Sequence, residues 1–590
     1  MNRTRRGFVL SFAGLLGAML AACSLSRPAD LVVIHGKILT VDDRFNTAEA
    51  AAIRDGVFVF VGSNEQAQEW IGKKTRVLDA GGRTVIPGLI ETHVHPLNAA
   101  REELVLPFRQ LGSIAEIQNW IRQTTKTTPP GRWIKVPRCY PTRIHERRYP
   151  TRAELDAASD TGHPVVFDGA FAYVLNTAAL RAAGIARDTV APPGHEIVKD
   201  AGGDPTGLLR DAVGAVEQSA LIGKYLPIQE VSEEATLDML ERLHLAYSRT
   251  GITSINERWE QMDRFRRHYG KLREQGRLHV RAMLTTAFTP AETAEGTREA
   301  IAALPAKFGD GDDWIRIGAL KIIVDGGILL GTAYLREPYG AEAAGLYGIT
   351  CPEHRGRLGV TAEQIKDFIR EAHRQGWQAA THVTGDGGAD LVLDAVEAAD
   401  RDRPVKDRRF TLIHAYFPSP DAARRAARLG VCVDTQSAWY YQDADAIATV
   451  LDEGRMARFI GLQEWMHGGV KLAINSDHMS GIDPSTASNP FNPFFTMWVA
   501  VARKTRGGRV IGPGQRVSRQ DALRMMTMNA AYLDFEEGKK GSIEVGKLGD
   551  LAVLSEDFMA CDEDGIKDIK VRVTVLGGKV VYGPNPDASR

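Results

Sequence analysis

The stretch Val85–Pro96, which reads VIPGLIETHVHP, decides the fold and holds the first candidate site of this chain. Its apolar run ends in His93 and His95, which are separated by one residue. On a β-strand, residues two apart point to the same face, so the two imidazoles can aim at one point. A His-x-His triplet by itself indicates a metal site only weakly. Its meaning therefore depends on partners elsewhere in the chain.

The composition bounds the class of protein. The chain has 590 residues, a net charge of −1 and 44% hydrophobic residues, which is typical of a soluble globular protein of several domains. Balanced charge gives no attraction for nucleic acid or acidic lipid, so we expect neither as a partner. The five cysteines show no Cys-x-x-Cys spacing and are too few for a disulfide framework.

Residues 1–23 are typical of an export signal. A pair of arginines precedes Phe8 and an apolar run through Leu20, which is too short to span a bilayer. The arginine pair fits a twin-arginine signal, and the segment ending in Cys23 is similar to a bacterial lipobox. We expect export to the periplasm, with a lipid on Cys23 as the only membrane attachment. The alternative is a plain secretory signal cut near Ala21 or Ala22, with Cys23 incidental.

The two ends of the chain have the same residue pattern. Short β-branched runs broken by glycine turns occupy residues 30–86 and 537–590, and such runs are typical of antiparallel hairpins. Each segment is too small to bury a core alone, so we expect them to pair in one small β-sandwich domain. Between them, apolar strand-like runs alternate with amphipathic stretches, which indicates parallel βα units.

Residues 87–536 contain eight of these apolar runs. They end at His95 or lie at 251–256, 279–284, 315–324, 378–383, 410–415, 431–435 and 470–477. Eight parallel strands with intervening helices close into a (β/α)8 TIM-type barrel. The gap before residue 251 is too long for one crossover, so we expect an inserted subdomain at about residues 100–245. Leu330–Thr361 is expected to be a loop over the barrel mouth. The predicted class is α/β.

Six ligand-type side chains fall late in these runs, at the catalytic end of a barrel. They are His93, His95, Lys321, His382, His414 and Asp477. Each alone has an ordinary explanation, since a buried histidine can bond a carbonyl, a lysine can reach solvent and an aspartate can cap a helix. Burying all six at one rim without function would be costly. The set therefore predicts a metal site.

In these residues the chain resembles the amidohydrolase superfamily, and within it the YtcJ-like metal-dependent hydrolases that include N-substituted formamide deformylases. The resemblance covers nearly the whole chain after the signal and rests on PGLIETHVH (87–95), LKIIVDGG (320–327), THVTGD (381–386), LIH (412–414), AINSD (473–477) and KGSIEVGKLGDLAVL (540–554). It implies an enzyme that hydrolyses a non-peptide carbon–nitrogen bond of a small molecule, of amide, formamide or carbamate type.

The resemblance also implies a binuclear centre. Lys321 would be carboxylated, because an unmodified ammonium has no lone pair for a metal. One metal would take His93, His95, the carbamate and Asp477, and the other would take the carbamate, His382 and His414. Nitrogen and oxygen ligands without cysteine fit two Zn2+ ions, with Mn2+ or Fe2+ as alternatives. Asp477 would take a proton from metal-activated water and pass it to the leaving nitrogen.

Departures from the family limit these expectations. Many relatives have an acidic residue just before the sixth-strand histidine, where this chain has Ile413, so the neighbours of His414 stay open. Many also have a histidine in the insertion, where Phe171–Thr177 has none, which weakens the transfer of a substrate from the family. Trp439–Tyr441 could form an aromatic wall at the mouth or could be ordinary loop packing.

Two other functions stay open from the sequence. A deaminase acting on a ring amidine would leave Lys321 unmodified, would use His414 in proton transfer, and would hold one metal on His93, His95, His382 and Asp477. Alternatively, the chain could be an exported binding or regulatory protein with a vestigial site, against which the complete ligand set argues. Metal count and the state of Lys321 separate the first alternative from the binuclear hydrolase. A homodimer is expected from the family alone.

Overall fold

The structure, a computed structural model, describes residues 27–159, 162–192, 195–211, 216–226 and 230–584. The predicted export signal and Cys23 lie outside these ranges. Within them, no helix combines the length and the apolar character needed to cross a membrane. The four cysteines of the described part are unpaired: Cys139, Cys351, Cys432 and Cys561.

The strands of the described residues are, in chain order, β1 (Leu31–Ile34), β2 (Lys37–Leu39), β3 (Thr47–Ala48), β4 (Ala50–Arg54), β5 (Val57–Gly62), β6 (Arg76–Asp79), β7 (Thr84–Pro87), β8 (Leu89–Val94), β9 (Ile134–Val136), β10 (Val165–Asp168), β11 (Ala172–Leu175), β12 (Glu196–Lys199), β13 (Pro205–Arg210), β14 (Ile252–Glu260), β15 (Arg281–Ala287), β16 (Ile315–Ile323), β17 (Ala379–Val383), β18 (Thr411–His414), β19 (Cys432–Thr435), β20 (Leu472–Ile474), β21 (Leu551–Leu554), β22 (Val571–Leu576) and β23 (Lys579–Tyr582).

The α-helices are α1 (Asn64–Ala67), α2 (Pro96–Val105), α3 (Ile114–Thr125), α4 (Arg152–Ala158), α5 (Thr177–Ala183), α6 (Glu233–Ser248), α7 (Met262–Glu274), α8 (Ala294–Ala302), α9 (Ala343–Tyr347), α10 (Ala362–Arg374), α11 (Asp386–Asp402), α12 (Pro420–Leu429), α13 (Ser437–Ile447), α14 (Glu453–Met456), α15 (Leu462–His467), α16 (Pro493–Ala502), α17 (Arg519–Met525) and α18 (Met528–Leu533).

A parallel sheet of eight strands forms the centre of the molecule, in the spatial order β20, β19, β18, β17, β16, β15, β14, β8. The two outer strands approach each other, because Val94 bridges in parallel to His478 and the His95 N–H donates to the His478 carbonyl at 2.8 Å. Each strand overlaps one of the eight apolar runs in the sequence. The predicted (β/α)8 barrel is confirmed.

Helix α10 illustrates why the segments between strands are helical. Thr361 caps its first turn in a capping box with Gln364, which satisfies two backbone N–H groups that the helix leaves open. Its buried apolar residues recur every three or four positions, at Ile365, Phe368, Ile369 and Ala372. That spacing puts one apolar stripe against the barrel sheet and leaves the opposite face polar.

Strands from both chain ends build the small β domain. One sheet has the order β5, β4, β1, β6, and the other has the order β23, β22, β21, β7, β2, β3. In the second sheet, β21 runs antiparallel to β7, with Val553 opposite Val85. Arg281 of the barrel donates to the Asp550 carboxylate at 2.7 and 2.9 Å and ties this domain to β15. The domain limits given above stay a prediction.

An inserted five-stranded sheet, in the order β12, β13, β11, β10, β9, lies between the first and second barrel strands. It has its own apolar core, which includes Val166, Tyr173 and Leu209. The turn between β10 and β11 carries Phe171, whose ring lies 5.6 Å from that of His382. The predicted loop after Leu330 contains α9 and contacts the insertion, because Arg210 donates to the Tyr347 carbonyl at 3.0 Å. Both segments therefore lie at the carboxyl end of the barrel.

Candidate metal centre

All six predicted ligand side chains come together at the carboxyl end of the barrel. His93 lies in β8 with His95 just after it, Lys321 in β16, His382 in β17 and His414 at the end of β18, and Asp477 follows β20. His95 and His382 are partly exposed and the other four are buried. The opening of the site is therefore on the side of these two histidines.

One group of donor atoms surrounds the Asp477 carboxylate. Its Oδ1 lies 3.2 Å from His95 Nε2 and 3.4 Å from His93 Nε2. Lys321 Nζ lies 3.0 Å from the same nitrogen of His93. Among the described residues, this Oδ1 is a buried atom without a hydrogen-bond partner. Imidazole nitrogens and a carboxylate oxygen that converge in this way are the donors that zinc prefers.

The second group consists of His382 and His414. His382 Nε2 faces the Gly326 carbonyl at 3.2 Å, and His414 Nδ1 faces the Gln436 amide oxygen at 2.6 Å. Because both oxygens can only accept, these ring nitrogens carry the protons. The remaining nitrogens, His382 Nδ1 and His414 Nε2, lie 2.8 Å apart. Each then points a lone pair at the other, an arrangement that a shared cation would stabilise.

Burial keeps the ring nitrogens of this site neutral. It lowers the pKa of His382 to about 3 and that of His93 well below its usual value, with Lys321 as a further cause in both. The same desolvation lowers the pKa of Lys321 to about 7. A substantial share of the Lys321 amine is thus unprotonated at neutral pH.

Two of the candidate ligands have an uncommon backbone conformation. The φ angle is +75° at His414 and +51° at Asp477, a region that residues other than glycine rarely adopt. Asp477 is held there by two hydrogen bonds: its N–H donates to Asn475 Oδ1 at 3.1 Å, and its carbonyl accepts from Asn489 Nδ2 at 2.6 Å. Such strain is concentrated at functional sites in proteins.

A buried polar network beneath the ligands was missing from the sequence prediction. Arg258 Nη2 donates to Asp434 Oδ2 at 2.8 Å, and Asn475 Nδ2 donates to Asp434 Oδ1 at 2.5 Å. Gln436 Nε2 in turn donates to Asn475 Oδ1 at 2.9 Å. Charged residues inside apolar barrel strands were the available signal, because Asp434 and Arg258 both lie in such strands.

The neighbour of His414 that the sequence left open is Gln436. Ile413, at the position where many relatives are acidic, packs in an apolar cluster with Ala319 and Ala380. Gln436 directly follows β19 and approaches His414 from the adjacent strand. The polar contact to His414 thus comes from the residue after β19, and not from the residue before His414 in β18.

The three aromatic residues after the seventh strand have different surroundings. Trp439 lies 6.1 Å from the His414 ring and donates to the Ser476 carbonyl at 3.3 Å. Tyr440 is buried away from the ligands, against Phe459. Tyr441 lines a cavity of about 370 Å³. The predicted aromatic wall is therefore reduced to Trp439 beside the ligands and Tyr441 farther out.

That cavity is near the candidate centre, although none of the six predicted ligands lines it. Arg138 and Tyr140 line it, and both contact the Met479 sulfur, at 3.3 and 3.6 Å, two residues beyond Asp477. Arg143, another lining residue, lies 5.6 Å from the Trp439 ring. The volume of this cavity is within the range of small-molecule sites.

The chain is similar to a known protein family, to two named proteins and to a solved structure. A family described as "Amidohydrolase family" matches residues 76–582. The chain is 26% identical over 583 residues to N-substituted formamide deformylase of Arthrobacter pascens, covering 95% of this chain and 99% of that protein. It is 26% identical over 554 residues to the putative amidohydrolase YtcJ of Bacillus subtilis, covering 93% and 98%. An uncharacterized metal-dependent hydrolase of Pyrococcus horikoshii shares the fold, with a TM-score of 0.66, 19% identity and coverage of 90% and 99%.

The barrel and the donor groups at its carboxyl rim fit the class of metal-dependent hydrolases. The chain belongs to the amidohydrolase family and is a hydrolytic enzyme acting on carbon–nitrogen bonds. The predicted family and enzyme class are confirmed. The roles of the six residues, the identity of the metal and the carboxylation of Lys321 stay predictions.

Proposed function

We propose that this enzyme hydrolyses a non-peptide carbon–nitrogen bond of amide, formamide or carbamate type at a binuclear metal centre. The observation that carries the proposal is the convergence of two separate groups of donor atoms at one end of the barrel. One group is His93, His95 and Asp477 and the other is His382 and His414, and the rings of His93 and His414 lie 5.5 Å apart. The formamide deformylase of Arthrobacter pascens supports this bond type.

Lys321 would join the two groups as a carbamate. A neutral amine adds to CO2 and loses a proton, which gives an anion with two oxygens able to bind two metals. Burial favours this reaction, because it lowers the pKa of Lys321 to about 7 and so leaves the amine lone pair available. Without the modification, the amine beside His93 offers at most a single donor and its protonated form repels a cation.

Divalent metals at these residues would lower the pKa of a coordinated water and polarise the carbonyl of the substrate. Asp477 would remove the proton of the attacking water and deliver it to the leaving nitrogen as the carbon–nitrogen bond breaks. Water is consumed. The products are an amine and a carboxylate from an amide or formamide, or an amine and a carbonate from a carbamate. The two backbone hydrogen bonds of Asp477 hold its carboxylate in position for both transfers.

The surroundings favour a small polar substrate. Phe171 lies against His382 at the more exposed side of the site. The adjacent cavity presents arginine and tyrosine side chains beside Met479. Such a lining suits a substrate that carries hydrogen-bond acceptors next to an aromatic or aliphatic part.

The test is a substrate panel on metal-loaded protein, with N-formyl, N-acyl and carbamate compounds on one side and ring amidines on the other. We expect amine release from the first group, and a loss of kcat of about 10²- to 10⁴-fold in Asp477→Asn. Asp483→Asn, in the exposed loop just beyond, is the matched control and should retain wild-type kcat. Ammonia release from ring amidines with one bound metal would instead support the deaminase.

Absence of turnover on every class by metal-loaded protein would contradict the proposed reaction and support a binding or regulatory role. Export by the twin-arginine route, a lipid on Cys23 and a homodimer stay predictions.

A further inference from the structure

Three buried side chains, Asp434, Asn475 and Gln436, form a series of hydrogen bonds that ends at His414. We infer that Gln436 is a positioning residue that fixes the tautomer and the orientation of His414, and that Asn475 and Asp434 fix the orientation of Gln436. The inference rests on the proposed metal site, because it assigns which nitrogen of His414 is free for a metal. All three members of the chain are fully buried.

The order of donors and acceptors in this series of hydrogen bonds is set at Asp434. Its carboxylate is surrounded by donors: Thr92 Oγ1 at 2.6 Å, Arg258 Nη2 at 2.8 Å and Asn475 Nδ2 at 2.5 Å. The Arg258 guanidinium can only donate, and its charge favours the ionised form of the Asp434 carboxyl. Both oxygens of an ionised carboxylate only accept. Asn475 therefore turns its NH2 group towards Asp434 and its oxygen away.

The orientation of the Asn475 amide determines the orientation of the Gln436 amide. Asn475 Oδ1 accepts from Gln436 Nε2 at 2.9 Å, so the oxygen of Gln436 is at the opposite end of its amide. Gln436 Oε1 lies 2.6 Å from His414 Nδ1, and an amide oxygen can only accept. His414 must carry its proton on Nδ1. Its Nε2 lone pair is thus left facing His382.

The same amide also reaches the other group of ligands. Asn475 Oδ1 accepts a second hydrogen bond, from the Asp477 N–H at 3.1 Å. One carbonyl oxygen thus restrains both Gln436, which contacts His414, and the backbone of Asp477. His414 and Asp477 are the two candidate ligands with positive φ, and such conformations persist only where several contacts determine them.

Tyr416 offers a competing explanation for the orientation of His414. Its hydroxyl lies 3.2 Å from His414 Nδ1 and 2.9 Å from Gln436 Oε1. The hydroxyl has one hydrogen and can donate to either atom, so it imposes no tautomer by itself. Gln436 can impose one, because its amide is fixed at the other end by Asn475.

The test measures zinc binding and needs no substrate. Zinc affinity and stoichiometry are determined by competition with a chromophoric chelator and by elemental analysis for wild type and Gln436→Met, which is apolar and similar in shape. We expect the weaker of the two zinc ions to bind 10- to 100-fold less tightly in the variant, as is usual when the hydrogen-bond partner of a ligating histidine is removed.

Gln378→Met is the matched control for a purely structural effect. Gln378 is also a buried glutamine, but it donates to the Arg409 and Leu533 carbonyls at 2.8 and 3.1 Å, at the start of β17 and away from the ligands. We expect this variant to lower the melting temperature without changing zinc affinity. An equal loss of zinc affinity in both variants would overturn the inference.

Three further variants keep the inference testable if Gln436→Met does not fold. Gln436→Glu keeps an oxygen facing His414 but loses the donor to Asn475 Oδ1, so it should bind zinc more tightly than Gln436→Met and less tightly than wild type. Gln436→Asn keeps the amide but withdraws it by one carbon–carbon bond, so affinity should fall as in the methionine variant. Tyr416→Phe should bind zinc within about threefold of wild type. Wild-type affinity in Gln436→Asn, or a larger loss in Tyr416→Phe, would overturn the assignment.

Failure of this inference differs from failure of the proposed function. A wild-type protein that binds fewer than two zinc ions would contradict the binuclear centre and with it the role of Gln436. A wild-type protein that binds two ions, with Gln436→Met indistinguishable from it, would contradict the positioning role alone.

Discussion

Asp534 shows how a single buried carboxyl links the stability of this protein to pH. Asn256 Nδ2 donates to its Oδ1 at 2.8 Å, while its Oδ2 has no hydrogen-bond partner among the described residues. Burial raises its pKa to about 6, above the value of about 3.9 for an unfolded chain. The folded state therefore binds the proton of the Asp534 carboxyl more tightly than the unfolded chain does. The stability that this protonation contributes is lost as pH rises from about 4 to about 6.

We expect Asp534→Asn to be more stable than the parent above that range, because the amide avoids a buried charge. The free energy of unfolding at pH 7.5 should rise by roughly 1–3 kcal/mol, and the gain should vanish near pH 4. Denaturant unfolding at both pH values measures the difference. Asp188→Asn, at an exposed position, is the control. A gain of equal size at both pH values would show that the charge of Asp534 is not its cause.

At the scale of the element, the first barrel strand requires glycine at its entry. A Cβ on Gly88 would lie 2.1 Å from Thr253 Oγ1 and 2.7 Å from Thr253 Cγ2 on the neighbouring strand. Both distances are far below van der Waals contact, and the atoms belong to a short β-branched side chain that cannot move aside. The motif that carries His93 and His95 therefore begins at a point of close backbone approach.

We expect Gly88→Ala to destabilise the fold by about 1–3 kcal/mol. Thr253→Ala removes the two closest atoms, so Gly88→Ala/Thr253→Ala should recover part of that loss, and a double-mutant cycle of unfolding free energies gives the coupling. Additive effects of the two substitutions would contradict the proposed steric contact.

The ends of the barrel strands could be predicted from the sequence, while the contacts between their polar residues could not. His382 and His414 each follow an apolar run of strand length, and the barrel rule places such residues at one rim. The chain from Asp434 through Asn475 to Gln436 depends on the register of three neighbouring strands. A shift of one residue in that register would turn each side chain to the opposite face, and the sequence alone does not specify it.

At the scale of the whole molecule, the pairing of the two chain ends followed from their size. Residues 30–86 and 537–590 are each too short for an independent core, and β21 indeed pairs with β7. No feature of the sequence predicts the contact of Phe171 with His382, because this contact depends on how the insertion packs on the barrel mouth. The insertion was recognisable from its length, but its approach to the ligands was not.

A binuclear centre bridged by Lys321 can be recognised from the metal content of the protein together with the mass of the Lys321 peptide. In protein purified without chelators we expect two divalent metals per chain and a peptide heavier by one CO2. Lys321→Met should retain at most one metal, whereas Lys540→Met, which removes another buried lysine, should keep both. One metal per chain with unmodified Lys321, or two metals in Lys321→Met, would contradict a binuclear centre that Lys321 bridges.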